Sequence, residues 1–371
     1  MKPYDRNKPF NELPLLPPSV SILTTDILLS WGKASRSLAE LNKNLLRLPN
    51  PIMLINTISI QEARSSTEIE NIFTTEDELY KAISDDLMEE GLNPNIIEVL
   101  RYREALWAGY LNMKKKNEIN LSTIVKINQQ IKNNKQAIRS PQSQIIFKRG
   151  QSEFRSGETI YTPPRGKGVV EKKINNLVDY LNQEYADDID PLLKMTIAHY
   201  QFEAIHPFSD GNGRTGRILN LIYLVKEGLL AQPVLYFSKY IIENKEDYYH
   251  FLAGVTQRKD WKSWILFMLE GIRQTAGFTN NLIDEILSQV DATLEYGKKE
   301  LKWYTKELNE VIFSQPYIKP SLVGEVLSKN SRTTLTKYMQ DLCKKGILSR
   351  KQIGKEVYYL NHDLIRILEQ K

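Results

Sequence analysis

The sequence predicts an all-α protein with one small β-hairpin and a separate module at its C-terminal end. Three observations carry this. Apolar residues recur at helical spacing through most of the chain, and alternating runs are few. One segment, 139–167, breaks that pattern with Arg, Gly, Ser and Pro and two short extended pieces. From about Val311 the helices shorten and an alternating run centred on a glycine appears.

Taken in order, the Pro-rich first eighteen residues are expected to form an extended arm that packs late or not at all. Segment 19–47 places Ile22, Ile27, Leu28, Trp31, Leu38, Leu41 and Leu45 at helical spacings, and Pro49-Asn50-Pro51 ends it. A second helix carries Ile55, Ile58 and Ile60 towards Ala63-Arg64-Ser65-Ser66. Helices over 94–114 and 121–132 end in Lys/Asn-rich turns. In 139–167, Ile145-Ile146-Phe147 and Thr159-Ile160-Tyr161 read as the strands of a hairpin or flap. Helices return over 169–186, 191–204, 213–228 and 244–258, then as a pair over 261–276 and 278–308. Pro320–Leu327 reads as a short helix with Pro and Ser at its start. Ser331 caps a helix from Arg332 to Lys345, Gly346 ends it, and Ile347–Leu360 alternates around Gly354 as a two-stranded wing. The expected organisation is an N-terminal helical region over 1–110, a core over 111–290, a helical linker over 291–310 and a C-terminal module over 311–371.

Composition narrows the function classes. The chain has 371 residues, 41% hydrophobic and 26% charged, which suits a soluble globular protein with more than one domain. No apolar run is long enough for a membrane span, and the first residues lack the apolar core of a secretory signal. The single cysteine, Cys343, excludes an intramolecular disulfide and points to a reducing, cytoplasmic setting. It shares an apolar helical face with Leu335, Met339 and Leu342, so it reads as core. His199 and His206 are seven apart, but no third ligand stands at a zinc spacing. His199 is therefore expected to face its helical neighbours or solvent. Residues 301–371 carry 13 Lys/Arg against 7 Asp/Glu, while the other 300 residues carry 37 against 38. The basic surplus belongs to the C-terminal module.

The chemistry concentrates in the run His206-Pro-Phe-Ser-Asp-Gly-Asn-Gly-Arg-Thr-Gly-Arg217. It reads as a loop entering a helix. Gly211 and Gly213 permit positive φ and a close approach of main-chain N–H groups to a ligand. The helix that follows turns its positive end to the same spot, which favours an anion. Arg214 and Arg217 share a face of that helix, and their planar forks suit phosphate oxygens. Asp210 can hold Mg2+, which takes one or two carboxylates beside substrate phosphates. His206, with a near-neutral pKa, suits the removal of a proton from a hydroxyl. These are the parts of a nucleotidyl- or phosphoryl-transfer site.

Position for position, the same run resembles the signature of the Fic family, HPFx[DE]GNGRxxR. The resemblance implies a Fic-type helical bundle that transfers AMP from ATP to a protein hydroxyl. It makes His206 the base, Asp210 the Mg2+ ligand, and Gly211, Asn212 and Gly213 the anion hole for the α- and β-phosphates. Arg214 would steady the phosphates and Arg217 would bind the γ-phosphate. A second run, Ser66-Thr-Glu-Ile-Glu70-Asn71, resembles the family's inhibitory pattern [ST]xxxE[GN], within a helix over about 60–73. Ser66 and Glu70 are four apart on one helical face, and a carboxylate delivered to Arg217 would take the place of the γ-phosphate. Glu62 and Glu68 lie nearby but do not complete the pattern.

Family resemblance extends to two further segments. Phe154–Pro164 stands where the family has its flap, so that Ile160 and Tyr161 would clamp the target residue beside an extended substrate segment. Tyr236–Tyr249 resembles the helix after the active helix, so that Asn244 and Tyr248 would contact adenine. The C-terminal pattern resembles a winged helix. There Arg332, Lys337, Lys344, Lys345, Lys351 and Lys355 stand ready for DNA phosphates, with Thr333 and Thr334 near base edges. Three functions follow as expectations. The first is a protein adenylyltransferase held in check by Glu70, using ATP and Mg2+ on a Ser, Thr or Tyr hydroxyl of a protein, itself included. The second is the reverse reaction, removal of AMP by the same site. The third is a DNA-binding regulator. A homo-oligomer is an expected assembly.

Overall fold

The computed structural model describes residues 4–46, 51–85, 91–149, 157–183, 189–328, 331–353 and 356–369. Helices dominate, as the periodicity requires. The first five are α1 (Thr25–Leu46), α2 (Pro51–Ile69), α3 (Glu76–Asp85), α4 (Pro94–Lys116) and α5 (Leu121–Lys132). The hairpin β1 (Phe147–Arg149) and β2 (Glu158–Tyr161) follows, with Phe147 opposite Tyr161. Then come α6 (Val169–Asn182), α7 (Pro191–Ile205), α8 (Asn212–Lys226), α9 (Phe237–Glu243), α10 (Lys245–Arg258) and α11 (Trp261–Glu300). The C-terminal module holds α12 (Lys306–Ile312), β3 (Tyr317–Ile318), α13 (Pro320–Val326), α14 (Arg332–Lys344), β4 (Ser349–Ile353), β5 (Glu356–Leu360) and α15 (His362–Leu368).

The centre of the molecule is α7. It is apolar on every side and buries nearly every residue from Leu192 to Ile205, the mark of a helix surrounded by others. Asp190 caps its first turn by accepting from Leu192 N at 2.8 Å, and Pro191 fills the position where a missing N–H costs nothing. Helix α8 packs against α7 and against α4 and α5. Helices α4 and α5 each end at an asparagine in the left-handed conformation, Asn117 and Asn133. Together α2, α4, α5, α7 and α8 hold the 206–217 loop in a fixed cradle.

Several expectations need correction. The N-terminal arm is packed: Leu13 and Leu16 are 2% and 6% exposed, and side chains of α6 and α7 bind its carbonyls. Residues 19–24 are irregular, although Ile22 is buried all the same. Helix α3 was not foreseen, because ten residues opening on Glu76, Asp77 and Glu78 make too short an apolar stripe to stand out. The expected pair over 261–276 and 278–308 is one helix of 40 residues, about 60 Å long. Gly277 at the expected break lowers helix propensity by only about 1 kcal/mol, and packing on α1 outweighs it. Helix α11 also runs through the first half of the proposed linker.

The C-terminal module has the foreseen order of helix, helix and hairpin, closed by an additional strand and α15. Its sheet runs β3-β5-β4, all antiparallel. Cys343 is partly buried against this core, and burial pushes its thiol up. Pro49-Asn50, the Phe154 end of the flap, the wing's Gly354 and Lys355, and the end of the 169–186 helix fall outside the described residues.

Candidate active site

The site forms where the C-terminal end of α7 meets the N-terminal end of α8. His206 is the residue after α7's last turn. It sits in the left-handed conformation at φ 49°, its N–H bonded to Phe202 O at 3.0 Å. A side chain there costs roughly 1–2 kcal/mol over a glycine. The buried Arg139 holds it in place, donating to His206 O at 2.7 Å, to Ile205 O at 3.3 Å and to Pro164 O at 2.5 Å. The Phe147 ring from β1 meets the imidazole edge-on at 4.7 Å. Burial, then the nearby Arg139 charge, lowers the His206 pKa to about 3. The ring is thus neutral across the physiological range.

The loop after His206 is pinned from within. Asn212 accepts from Phe208 N at 2.8 Å and donates to Phe208 O at 2.9 Å. Its side chain shapes the turn and does not face the anion position. Gly211 has φ 75° and caps α8. Gly213 is helical, so positive φ is not its purpose. A Cβ there would lie 2.9 Å from Arg217 Nη1 and 3.0 Å from Glu70 Oε1, so its bare backbone is what lets a carboxylate reach the helix end. Asp210 is exposed, with its carboxylate on Gly211 N at 2.6 Å and Lys132 Nζ at 2.7 Å. Burial raises its pKa, but Lys132 and the Gly211 N–H outweigh that, leaving it below the usual range.

Into this cradle comes Glu70. Helix α2 ends at Ile69 in a Schellman turn: Ile72 N bonds Thr67 O at 3.1 Å and Asn71 N bonds Glu68 O at 2.9 Å. Asn71 takes φ 63°, which explains why Gly or Asn is wanted at that place in the pattern. The turn projects Glu70 onto α8. Its carboxylate accepts from Arg217 Nη2 and from the Arg214 backbone N–H, each at 3.1 Å, and forms an ion pair with the Arg214 guanidinium, Nε lying 2.7 Å away. Ser66 completes the contact, its Oγ accepting from Arg217 Nε at 2.7 Å and its carbonyl from Arg217 Nη2 at 2.8 Å. A carboxylate at the end of its own helix is disfavoured by that helix's dipole. Two arginines and the opposite end of α8 compensate.

Family comparison now decides the class. The Fic/DOC N-terminal family model matches residues 28–111 and the Fic/DOC family model matches 118–224. A model of the C-terminal domain of SoFic-like protein adenylyltransferases matches 289–364. The chain belongs to the Fic/DOC family. Among curated Fic relatives, the protein adenylyltransferase Fic of Drosophila willistoni is 24% identical over 269 residues, covering 71% of this chain and 46% of that protein. Protein adenylyltransferase fic-1 of Caenorhabditis elegans is 30% identical over 145 residues, 38% of this chain and 27% of that protein. The chain thus matches less than half the length of these two relatives. A Fic family protein from Desulfovibrio desulfuricans G20 shares the fold with a TM-score of 0.56 at 22% identity, covering 93% of this chain and 98% of that one. A Fic-1 fragment from C. elegans does so with 0.52 at 20%, covering 70% and 74%.

Tyr248 is 2% exposed, its hydroxyl on His199 Nε2 at 2.9 Å, and its ring against Trp264 and Phe267. It has no open face for adenine. The neighbouring Tyr249 is 44% exposed and lies in the field of Arg217. Asn244 donates to Tyr240 O at 2.9 Å, at the joint between α9 and α10. Tyr161 is likewise turned inward, its hydroxyl on Ala204 O at 2.7 Å and its ring stacked on Phe147. Ile160 is partly buried beside it. His199 is buried between Tyr248 and Asn220, and burial followed by the Arg217 charge lowers its pKa to about 3.

Sequence reasoning missed five Fic-site neighbours. Arg139 is the clamp on His206. Asn128 donates to Asp210 O at 2.9 Å and Thr215 Oγ1 at 3.2 Å. Lys132, one turn further along α5, holds Asp210, and its i,i+4 spacing from Asn128 was the available signal. Glu98 from α4 pairs with Arg214 Nη1. Glu203, on α7's last turn, has its pKa raised to about 7 by burial, against the pull of Arg217. Glu62 is held instead by Ser238 and Tyr102, accepting from Ser238 N, Ser238 Oγ and Tyr102 OH. Glu68 pairs with Arg64 at 3.0 Å. Glu70 is therefore the glutamate among the three that reaches the arginines.

Proposed function

We propose that this chain is a protein adenylyltransferase restrained by its own Glu70. One observation carries the reading: a carboxylate fixed by two guanidiniums and a helix-terminal N–H, on the loop that bears His206. Such a set of donors is a receptor for phosphate oxygens, and Glu70 stands where one of them would bind.

In the reaction, the substrate hydroxyl approaches His206. The neutral imidazole takes its proton while the hydroxyl oxygen forms a bond to the α-phosphorus of ATP. The bond from that phosphorus to the bridging oxygen breaks, and pyrophosphate leaves with the electron pair. A pKa near 3 makes a weak base in the ATP-free state. Arrival of the triphosphate's negative charge raises it and makes proton transfer easier. The α8 N-terminus and Arg214 hold the phosphates in line, while Arg217 takes the γ-phosphate once Glu70 has swung away.

Asp210 fits a Mg2+ ion. Its carboxylate is exposed, ionised and next to the phosphate position, and one carboxylate suffices for a metal completed by phosphates and water. Among the described residues no group of three or more His, Cys, Asp or Glu forms a metal cage, in keeping with that sparse set. When bound, the ion would neutralise the phosphates and the departing pyrophosphate.

Duplex DNA is a poorer fit. Lys345 is tied to Glu300 at 2.7 Å and Lys351 to Asp77 at 2.5 Å, while among the described side chains Thr333, Lys337 and Lys344 stay exposed along α14. Among the described residues no helix is long and apolar enough to cross a membrane. The test is incubation with Mg2+ and α-labelled ATP, read by intact mass. Label is expected on Glu70→Gly protein and not on the Glu70→Gly/His206→Ala double variant. Label that wild type removes and Glu70→Gly does not would assign the reverse reaction.

A further inference from the structure

Residues 4–17 run beside the flap and continue across α6 and α7. Phe10 N donates to Thr162 O at 3.0 Å, Thr162 Oγ1 to Arg6 O at 2.8 Å, and Arg165 N to Asn11 Oδ1 at 2.9 Å. Tyr4 OH reaches Ile160 O at 3.3 Å, and Arg6 pairs with Glu158 at 2.5 Å. Beyond the flap, Lys173 Nζ donates to Leu13 O at 2.5 Å and Gln201 to Pro14 O at 2.8 Å. Asn176 bonds both main-chain groups of Leu16. The α6 and α7 end is thus a firm anchor, and the Tyr4–Asn11 end lies on β2 and the segment just after it.

A chain of rings leads from this segment to the catalytic base. Tyr4 and Phe10 pack on Tyr161 with centroids at 6.3 and 6.4 Å. Tyr161 stacks on Phe147 at 6.1 Å, and Phe147 meets His206 at 4.7 Å. A two-stranded hairpin is marginal alone and needs packing to hold one position. The anchored segment supplies that packing on the β2 side. An unpaired strand edge is also a template for the wrong partner, and a covered one is not. Side chains of the segment crowd the β2 side, which favours addition of an extended substrate segment beside β1, the strand whose Phe147 meets His206.

We propose that residues 4–17 are a strap that sets the flap for the protein substrate, with Tyr4 and Phe10 as positioning residues acting through Tyr161 and Phe147. The inference rests on the adenylyltransferase reading for its substrate, and on the contacts above for the strap. The strap touches neither Glu70 nor the α8 terminus in any of these contacts, so it governs presentation of the hydroxyl and leaves nucleotide binding alone.

The test uses the full chain carrying Glu70→Gly, with and without Tyr4→Ala/Phe10→Ala. Hydrogen exchange over 143–149 and 157–165 is expected to rise at least tenfold, with α7 and α8 unchanged. Affinity for ATP with Mg2+, measured by calorimetry, is expected to stay within twofold while AMP incorporation into the chain falls at least tenfold. Tyr4→Phe, which keeps the ring, should match the parent in all three. Unchanged flap exchange overturns the strap, as does exchange that rises equally through α7 and α8. Should the Glu70→Gly parent transfer no AMP, the adenylyltransferase reading fails, and flap exchange still decides the strap separately.

Discussion

Replacing Glu70 by glycine should make the protein less stable and more active, and one set of contacts sets both effects. The carboxylate accepts from Arg217 Nη2 and the Arg214 N–H at 3.1 Å each and pairs with the Arg214 guanidinium at 2.7 Å. The two arginine side chains are 2% and 3% exposed, so water cannot replace the lost partner well. Removing one member of a buried pair costs about 3–5 kcal/mol. Arg217 keeps Ser66 and Arg214 keeps Glu98, so the low end, about 3 kcal/mol, applies. For a chain of this length that lowers Tm by about 4 °C if unfolding is a single transition. The same 3 kcal/mol opposes displacement of Glu70 by phosphate in wild type. It corresponds to about a 100-fold smaller competent population, so transfer should rise by about that factor in Glu70→Gly.

Two assays on the same preparations check this: a thermal melt with and without ATP–Mg2+, and AMP incorporation over time. ATP should restore more Tm to the variant than it adds to wild type, because phosphate refills the vacated receptor. Glu70→Gln, which keeps shape and loses charge, should fall between the two. Lower stability with unchanged incorporation would make Glu70 a structural residue only. Higher incorporation with unchanged stability would mean that the three contacts do not hold the closed state, and the reasoning from geometry would be wrong.

Arg139→Ala leaves the carbonyls of Ile205 and His206 without their donor. It should cost about 2–3 kcal/mol by denaturant melt and, in Glu70→Gly, reduce incorporation more than ATP affinity. Asn71→Gly should leave incorporation unchanged, whereas Asn71→Val, strained at φ 63°, should destabilise by about 1–2 kcal/mol and partly release Glu70, seen as labelling of an otherwise wild-type chain. Glu203 has a folded pKa raised to about 7, so its protonated form favours the fold below about pH 4.5, and that contribution is lost as pH rises through 7. Glu203→Gln, a mimic of the protonated form, should therefore gain about 3 kcal/mol on wild type above pH 7 and match it near pH 4.5. A difference that does not grow with pH would place the carboxyl in a more solvated setting.

The sequence exposed those parts of the site whose chemistry is local in the chain. A histidine, a glycine turn and two arginines within twelve residues announce a phosphate receptor before any folding is considered. Ser66 and Glu70 were legible because helical spacing alone puts them on one side. What stayed hidden came from tertiary packing. Arg139 sits in an Arg- and Gly-rich stretch that reads as surface loop, and only the approach of α7's end makes it a clamp. Glu98 is one of two glutamates on α4, and nothing in the sequence tells which of them meets Arg214. Tyr248 and Tyr249 are adjacent, so their order of burial depended on the rotation of α10, which the sequence does not set to within one residue. The arm failed as a prediction for a related reason. Its proline content argued for an extended chain, correctly, but extended segments can be well packed where side chains such as Lys173 and Asn176 bind their carbonyls and amides.

On the proposed reading, a restraint carried by α2 holds better than one carried by a mobile loop. Arg214 and Arg217 are buried in the closed state, and two buried positive charges at the positive end of a helix are costly without an anion. An anion beside them, the Glu70 carboxylate or the phosphates of a ligand, therefore stabilises the site, and Glu98 supplies part of that charge to Arg214. A loop carrying the glutamate would exchange freely with ATP. Helix α2 opposes exchange because moving Glu70 also strains the Schellman turn and loosens Ser66 from Arg217. The neighbouring anchor Arg64, which bonds both Glu68 and Glu76, ties the same helix to α3. Asp77 of α3 in turn holds Lys351 and Tyr317 of the C-terminal module. On the same reading, a displacement of α3 would bear on α2, and the C-terminal module is one of the parts that hold α3 directly, through Asp77.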